Sequence, residues 1–277
     1  MPLSPSETIR ILESIDHRPK KNLGQNFLID GNIVQKSLSM ASIKQDVPVV
    51  EIGPGLGTLT KQLLNYGHKV YAVEIDPKLF SNLQSELTDF ISKDQLNLIN
   101  KDAVKYPLGN LPITEKDFAV IANLPYAISS PWLESVLNTN RIPKRMVLML
   151  QKEAVERMNA TYGTKHYNAL SIFLSASFRQ TKVHPVPRQC FHPAPGIDSV
   201  LVRIDKKENP FLFKKEDRML IRKIFTQRRK QIGTLAKKEV PKTREKILKW
   251  LENLNLPNNL RPEQIEANAW QELAKQS

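Results

Sequence analysis

The stretch Val49-Val50-Glu51-Ile52-Gly53-Pro54-Gly55-Leu56-Gly57-Thr58-Leu59-Thr60 decides the fold. Val49 to Ile52 is β-branched and apolar apart from Glu51, as expected of a strand covered on both faces. Gly53, Gly55 and Gly57 then recur at every second position. Glycine admits positive φ and leaves no Cβ between the backbone and a bound molecule. From Thr58 the chain can wind into a helix whose first N–H groups face back toward the turn.

A turn of this kind serves either a dinucleotide or a sulfonium nucleoside, or it is simply a tight strand–helix connection. The dinucleotide fingerprint is G-x-G-x-x-G, with pyrophosphate seated on the helix N-terminus. Here the spacing is G-x-G-x-G with Glu51 two residues ahead. That fits S-adenosylmethionine better, since it has no phosphates and needs close backbone around its amino-acid tail. Its ribose calls for an acidic residue. Glu74, at the end of a second strand running from Val70 toward Asp76-Pro77, follows Gly53 by 21 residues and is the ribose candidate. Asp76 is the better helix cap, with Pro77 at a first helical position where proline is tolerated.

Working outward, strands are expected at Leu96–Asn100, Phe118–Ala122 and Arg145–Gln151, with helices at Ile33–Met40, Lys152–Met158 and Leu170–Ala176. Arg179–Val186 and Val200–Ile204 read as a closing pair of strands. Alternation of strands and helices predicts a parallel sheet covered on both faces, with ligands beyond the carboxyl ends of the strands. Asp102 follows one such end and either accepts from an adenine amino group or caps the next segment. Asn123-Leu124-Pro125-Tyr126 follows another. Asn123 carries an amide carbonyl, Pro125 stiffens the turn and donates no N–H, and Tyr126 presents a flat ring. Two acceptors beside a ring suit an exocyclic base amine. Phe191, in a loop stiffened by Pro193, Pro195 and Gly196, either clamps a base against Tyr126 or anchors packing. Lys20-Lys21-Asn22-Leu23-Gly24-Gln25-Asn26-Phe27-Leu28 can cover a cofactor pocket with its lysines facing phosphate, or form a surface loop pinned by Phe27 and Leu28.

The 277 residues suffice for one large or two ordinary domains, and 40% apolar with 25% charged residues is the composition of a soluble globular protein. A lone cysteine, Cys190, excludes an internal disulfide framework and suits a reducing cytosol. No apolar run approaches the roughly 20 residues of a membrane span, and the N-terminus lacks a signal-peptide pattern. The five histidines show no metal-ligand spacing, so no metal site is expected. Of the net charge of +13, residues 206–277 carry +9, with Gln227-Arg228-Arg229-Lys230-Gln231 the densest basic cluster. The pattern there is helical only, with helices expected at Asp217–Phe225, Lys242–Leu254 and Pro262–Lys275. This predicts a domain of residues 1–205 followed by a basic helical domain of residues 206–277 that binds a polyanion, or else presents a solvated lysine-rich surface.

With these motifs assembled, nearly the whole chain resembles the ribosomal-RNA adenine N6-dimethyltransferases of the KsgA type. The resemblance rests on Gly24–Leu28, Glu51–Gly57, Val73–Asp76, Asp102, Asn123–Tyr126, Leu150–Glu153, the Phe191…Asp198-Ser199 loop, Thr226–Lys230 and Arg261-Pro262-Glu263. It implies a Rossmann-like class I methyltransferase sheet, α/β, with a small all-helical C-terminal domain. It implies contacts of Asn26, Leu28, Gly53, Gly55, Gly57, Glu74, Asp102 and Asn123 with S-adenosylmethionine, and a target-base site made by Asn123, Leu124, Pro125, Tyr126 and Phe191. It further implies dimethylation of two adjacent adenosines near the 3′ end of small-subunit (16S) rRNA. A cytoplasmic, monomeric enzyme is expected, acting on that rRNA within a pre-ribosomal particle, with naked rRNA as the alternative substrate. The large-subunit adenine methylases of macrolide resistance, a DNA adenine methyltransferase and a non-catalytic assembly factor are the competing readings. A nicotinamide oxidoreductase would want the other glycine spacing.

Overall fold

The computed structural model describes residues 4–276. The chain divides into two compact units, one of residues 1–155 with 180–206, the other of residues 156–179 with 207–277.

The first unit opens with α1 (Pro5–Ser14), whose Ser4 and Glu7 form a capping box. A short strand β1 (Phe27–Leu28) follows, then α2 (Gly31–Ala41), capped by Asp30. β2 (Val49–Ile52) is buried at all four positions and leads through the glycine turn into α3 (Thr58–Asn65). β3 (Val70–Glu74), equally buried, leads into α4 (Pro77–Glu86) and the short α5 (Thr88–Ser92). β4 (Leu96–Asn100), β5 (Ala119–Asn123), α6 (Ser129–Asn138), β6 (Arg145–Gln151) and α7 (Lys152–Met158) complete the alternating part. α8 (Ala169–Ser177), which belongs to the second unit, precedes β7 (Phe178–Val186), β8 (Phe191–His192) and β9 (Ser199–Lys206).

Strand order in the main sheet is β4-β3-β2-β5-β6-β9-β7. β2 pairs in parallel with β3 and β5, β3 with β4, and β5 with β6, whereas β9 runs antiparallel to β6. Strand order reverses at β2, which has β3 on one side and β5 on the other, and the crevice beyond its carboxyl end is where a doubly wound sheet binds ligands. The α/β reading therefore holds. Beyond it, β1 pairs with β8, joining Phe27 to His192 and Leu28 to Phe191 in a separate two-stranded ladder. Two-residue strands carry no periodicity, so pattern alone does not reveal them.

The second unit holds α8, α9 (Lys215–Thr226), α10 (Ile232–Ala236), α11 (Pro241–Asn253) and α12 (Ala267–Lys275). Its core is aromatic: Trp250 and Trp270 lie 5.0 Å apart between ring centroids, and Phe225 packs on Trp270 at 5.5 Å and edge-on to Tyr167 at 5.7 Å. The buried Tyr167 hydroxyl donates to the Ile265 carbonyl at 3.0 Å, which removes the cost of enclosing it. The chain enters this unit twice, so residues 156–179 belong with it and not with the sheet, contrary to a single boundary at residue 205. α8 is buried at eight of its nine positions, a pattern that fits either core equally well. The last expected helix also shortens: Pro262–Gln264 is a separate 3-10 turn before α12.

Candidate active site

A cleft of about 1050 Å³, counting the part open to solvent, lies over the carboxyl ends of β2, β3 and β5. Its lining includes Asn26, Leu28, Gly53, Gly55, Glu74, Asp102, Asn123, Leu124, Pro125 and Tyr126. Ten of the residues expected from sequence thus meet in one place. Gly57 closes the same turn as the cap of α3, and Phe191 is elsewhere.

The glycine turn owes its shape to backbone geometry and to crowding. Gly53, Gly55 and Gly57 have φ of +67°, +61° and +77°. A Cβ on Gly53 would sit 3.1 Å from the Pro125 ring, one on Gly55 3.1 Å from the Phe27 ring, and one on Gly57 2.6 Å from Leu83. Only glycine meets both demands at all three positions. The approach of Pro125 to Gly53 also sets the Asn123–Tyr126 turn directly against the glycine turn.

Glu74 closes the acidic side. One carboxylate oxygen accepts from the Gly55 N–H at 3.0 Å and the other from the Asp76 N–H at 2.9 Å. Burial pushes this carboxyl up to about 7, while those two N–H groups act in the opposite direction. Glu51 lies deeper: burial raises it to about 8, the nearby Glu74 carboxylate adds to the rise, and its Oε2 is buried without a hydrogen-bond partner. Asp102 uses Oδ1 to cap its own turn through the Val104 N–H at 2.8 Å, so the capping role is realised on a residue that also lines the cleft.

On the opposite side, the Asn123 amide donates through Nδ2 to the Asn26 carbonyl at 3.0 Å. Donation to a carbonyl fixes which end of the amide is NH₂ and leaves Oδ1 as the acceptor end. Asn26 in turn donates to the Gly24 carbonyl at 3.1 Å. The Tyr126 hydroxyl is hydrogen-bonded to the buried Ser199 hydroxyl, and burial raises the phenol above its ordinary value.

Three expectations change. Phe191 is only 2% exposed and packs in the core with Leu28, Val34 and Val186, so its ring is a packing anchor and presents no face to a base. Lys20 does not face a phosphate: its ammonium pairs with Asp76 Oδ2 at 2.8 Å. Arg228 is not a free basic group of the second unit. It forms an ion pair with Glu263 and donates to the Lys165 carbonyl at 2.8 Å, whereas Arg229 and Lys230 are exposed. Sequence reasoning also missed His17, whose Nε2 lies 3.0 Å from Asp76 Oδ2 in a buried pair 59 residues apart. No local signal links such residues.

The model of the ribosomal RNA adenine dimethylases matches residues 16–273. The chain belongs to that family. A ribosomal RNA small subunit methyltransferase A of Opitutus terrae is 45% identical over 99% of this chain and 98% of its own length. The protein of the same name from Staphylococcus haemolyticus is 35% identical over 95% and 91%. Among solved structures, a dimethyladenosine transferase from Plasmodium falciparum superposes with a TM-score of 0.72 at 29% identity, covering 90% of this chain and 96% of that one. The 23S rRNA methyltransferase ErmE shares the fold at a TM-score of 0.61 and 21% identity, over 90% and 98%. Membership makes the chain an S-adenosylmethionine-dependent rRNA adenine dimethyltransferase with a class I methyltransferase fold.

The residues present fit that methyl donor. Gly53, Gly55 and Gly57 admit no side chain, Glu51 keeps an unpartnered buried oxygen suited to an ammonium, and Glu74 holds a carboxylate at the strand end suited to ribose hydroxyls.

Proposed function

We propose that this enzyme dimethylates N6 of two adjacent adenosines near the 3′ end of small-subunit rRNA, on bases swung out of their helix and within a maturing ribosomal particle, and that it acts as a monomer. Gly53, Gly55, Gly57, Glu74, Asp102, Asn26, Leu28 and Asn123 hold the donor, and Asn123, Leu124, Pro125 and Tyr126 hold the base. The observation that carries this reading is the Asn123 amide, tied by its NH₂ to the Asn26 carbonyl so that its own carbonyl is left for a ligand.

When bound, S-adenosylmethionine supplies a methyl carbon made electrophilic by its sulfonium. The chain's own task is to make an adenine amine nucleophilic and to aim it. The N6 lone pair is delocalised into the ring. Asn123 Oδ1 and the Leu124 carbonyl accept its two N–H bonds, which favours a pyramidal nitrogen and stabilises the positive charge that grows on N6 during transfer. Pro125 donates no N–H and so does not compete for these acceptors. Tyr126, steadied by Ser199, offers a ring for stacking, a contact that contributes about 1–3 kcal/mol per base. Positioning of two bound reactants supplies most of the rate, and the proton leaves N6 after transfer without a dedicated base. The exposed Arg229 and Lys230 contribute charge toward the RNA phosphates.

The small-subunit assignment is favoured by the relatives of that name, which match over nearly the full chain. Labelled methyl transfer to purified small subunits, to large subunits and to protein-free rRNA, followed by nucleoside analysis, tests it. Two N6,N6-dimethyladenosines per small subunit are expected. Incorporation into large-subunit rRNA alone, or monomethyl product alone, would reject the assignment.

A further inference from the structure

We propose that Asp76 is a positioning residue for donor binding: its buried carboxylate latches the segment His17–Gln25 to the end of β3, and thereby holds Asn26 and Leu28 at the cleft. The inference rests on the reading that Asn26 and Leu28 contact the donor.

Asp76 is fully buried, and its two oxygens do different work. Oδ1 caps α4 by accepting from the N–H groups of Lys78 at 3.0 Å and Leu79 at 3.4 Å. A helix cap needs no more than that. Oδ2 instead receives three side chains from one segment: Lys20 Nζ at 2.8 Å, His17 Nε2 at 3.0 Å and Gln25 Nε2 at 3.2 Å. Gln25 closes the segment on itself, since its Oε1 accepts from the Lys20 N–H at 2.7 Å. Burial would raise the Asp76 carboxyl, but the bonds from Lys20, His17 and Gln25 outweigh it and hold the group well below its ordinary value. The group is therefore ionised, as a latch gripping an ammonium requires.

The residues on either side of this segment are seated by an apolar seam. Leu12 and Phe27 pack with Leu56 of the glycine turn and Leu79 of α4, flanked by Ile11 and Ile15. His17 stands edge-on to Phe27 at 6.4 Å, and Phe27 fills the space a side chain on Gly55 would need. Asp76 also holds the other wall of the site, because its N–H donates to Glu74 Oε1. One residue thus ties the carboxylate proposed for the ribose to the segment proposed to lie across the donor. Three donors converging on one oxygen fix that segment in a single register.

Steady-state kinetics of the full-length enzyme on its rRNA substrate provide the test. Asp76→Asn keeps an acceptor for the α4 cap and replaces the other oxygen by NH₂. It is expected to raise KM for S-adenosylmethionine about tenfold while kcat at saturating donor stays within about twofold and KM for RNA is unmoved. Lys20→Met should raise the donor KM about threefold, Lys20→Arg should restore it, and the Asp76→Asn/Lys20→Met pair should be no worse than Asp76→Asn alone. A folded Asp76→Asn enzyme with unchanged donor KM, or with reduced kcat at unchanged KM, overturns the proposal. If Asp76→Asn does not fold, equal donor KM values for Lys20→Met, Lys20→Arg and the parent overturn it. Asn26→Ala separates the two readings: if it too leaves donor KM unchanged, the donor-contact reading has failed, whereas a raised KM there with none for Asp76→Asn rejects the latch alone.

Discussion

Asn123, at the end of β5, donates its side-chain amide to the backbone carbonyl of Asn26, 97 positions earlier in the chain. One bond thus joins two segments that line the cleft, the one proposed to hold the donor and the one proposed to hold the base. Replacing Asn123 by Ala removes the acceptor proposed for N6 and frees the Asn26 carbonyl together. The expected outcome is a fall in kcat of about 10²-fold, the scale for losing one group aimed at developing charge. Donor affinity should weaken but remain measurable. Single-turnover methyl transfer with calorimetric donor binding separates the two losses, and unchanged turnover would remove Asn123 from the mechanism.

In the second unit the basic cluster divides into a strut and a surface. Arg228, bound to Glu263 and to the Lys165 carbonyl, is expected to act on stability: Arg228→Ala should cost about 1–3 kcal/mol in urea unfolding by stripping partners from those groups. The exposed Arg229 and Lys230, changed together to Ser, should leave the unfolding midpoint alone, weaken RNA binding and reduce the salt slope by about 1–2. A salt slope identical to the parent's would place that pair away from the RNA.

Gly57→Ala puts a methyl 2.6 Å from Leu83 Cδ2 at a residue with φ of +77°. Leu83 is fully buried, so it has little room to withdraw. Left-handed backbone strain and overpacking together should cost about 2–4 kcal/mol. Equilibrium unfolding measures this, and a loss below about 1 kcal/mol would show that Leu83 repacks freely.

Glu51 makes stability pH-dependent in a defined direction. Burial lifts its folded pKa from 4.5 to about 8, so between those values the folded chain keeps a proton that the unfolded chain has lost. Stability falls with pH wherever the folded state binds more protons. Its contribution is therefore present below about pH 4.5 and is lost as pH rises toward 8. Glu51→Gln, neutral throughout, should gain stability relative to the parent across that window. Melting temperatures of both proteins at pH 5 and pH 8 check the sign, and a difference that does not change with pH would show that Glu51 ionises normally.

What the amino-acid order by itself determined is local or periodic. The run Val49–Ile52, the alternate glycines, the 21-residue interval from Gly53 to Glu74 and the Asn123–Tyr126 turn are all short-range patterns. The parallel-sheet class and seven residues of the cleft, Gly53, Gly55, Glu74, Asn123, Leu124, Pro125 and Tyr126, follow from them, because a strand that feeds a helix must deliver its carboxyl end to one face of a parallel sheet, whereas Asn26, Leu28 and Asp102 are singled out as donor contacts by the family resemblance. What only the tertiary structure decided is pairing across distance. That Asp76 gathers His17, Lys20 and Gln25, that Arg228 meets Glu263, that Phe191 turns into the core, and that residues 156–179 join the second unit are all outcomes of packing. Each depends on which apolar faces close on one another, and a charged or aromatic residue carries the same label whether its partner is water, a ligand or a side chain many residues away.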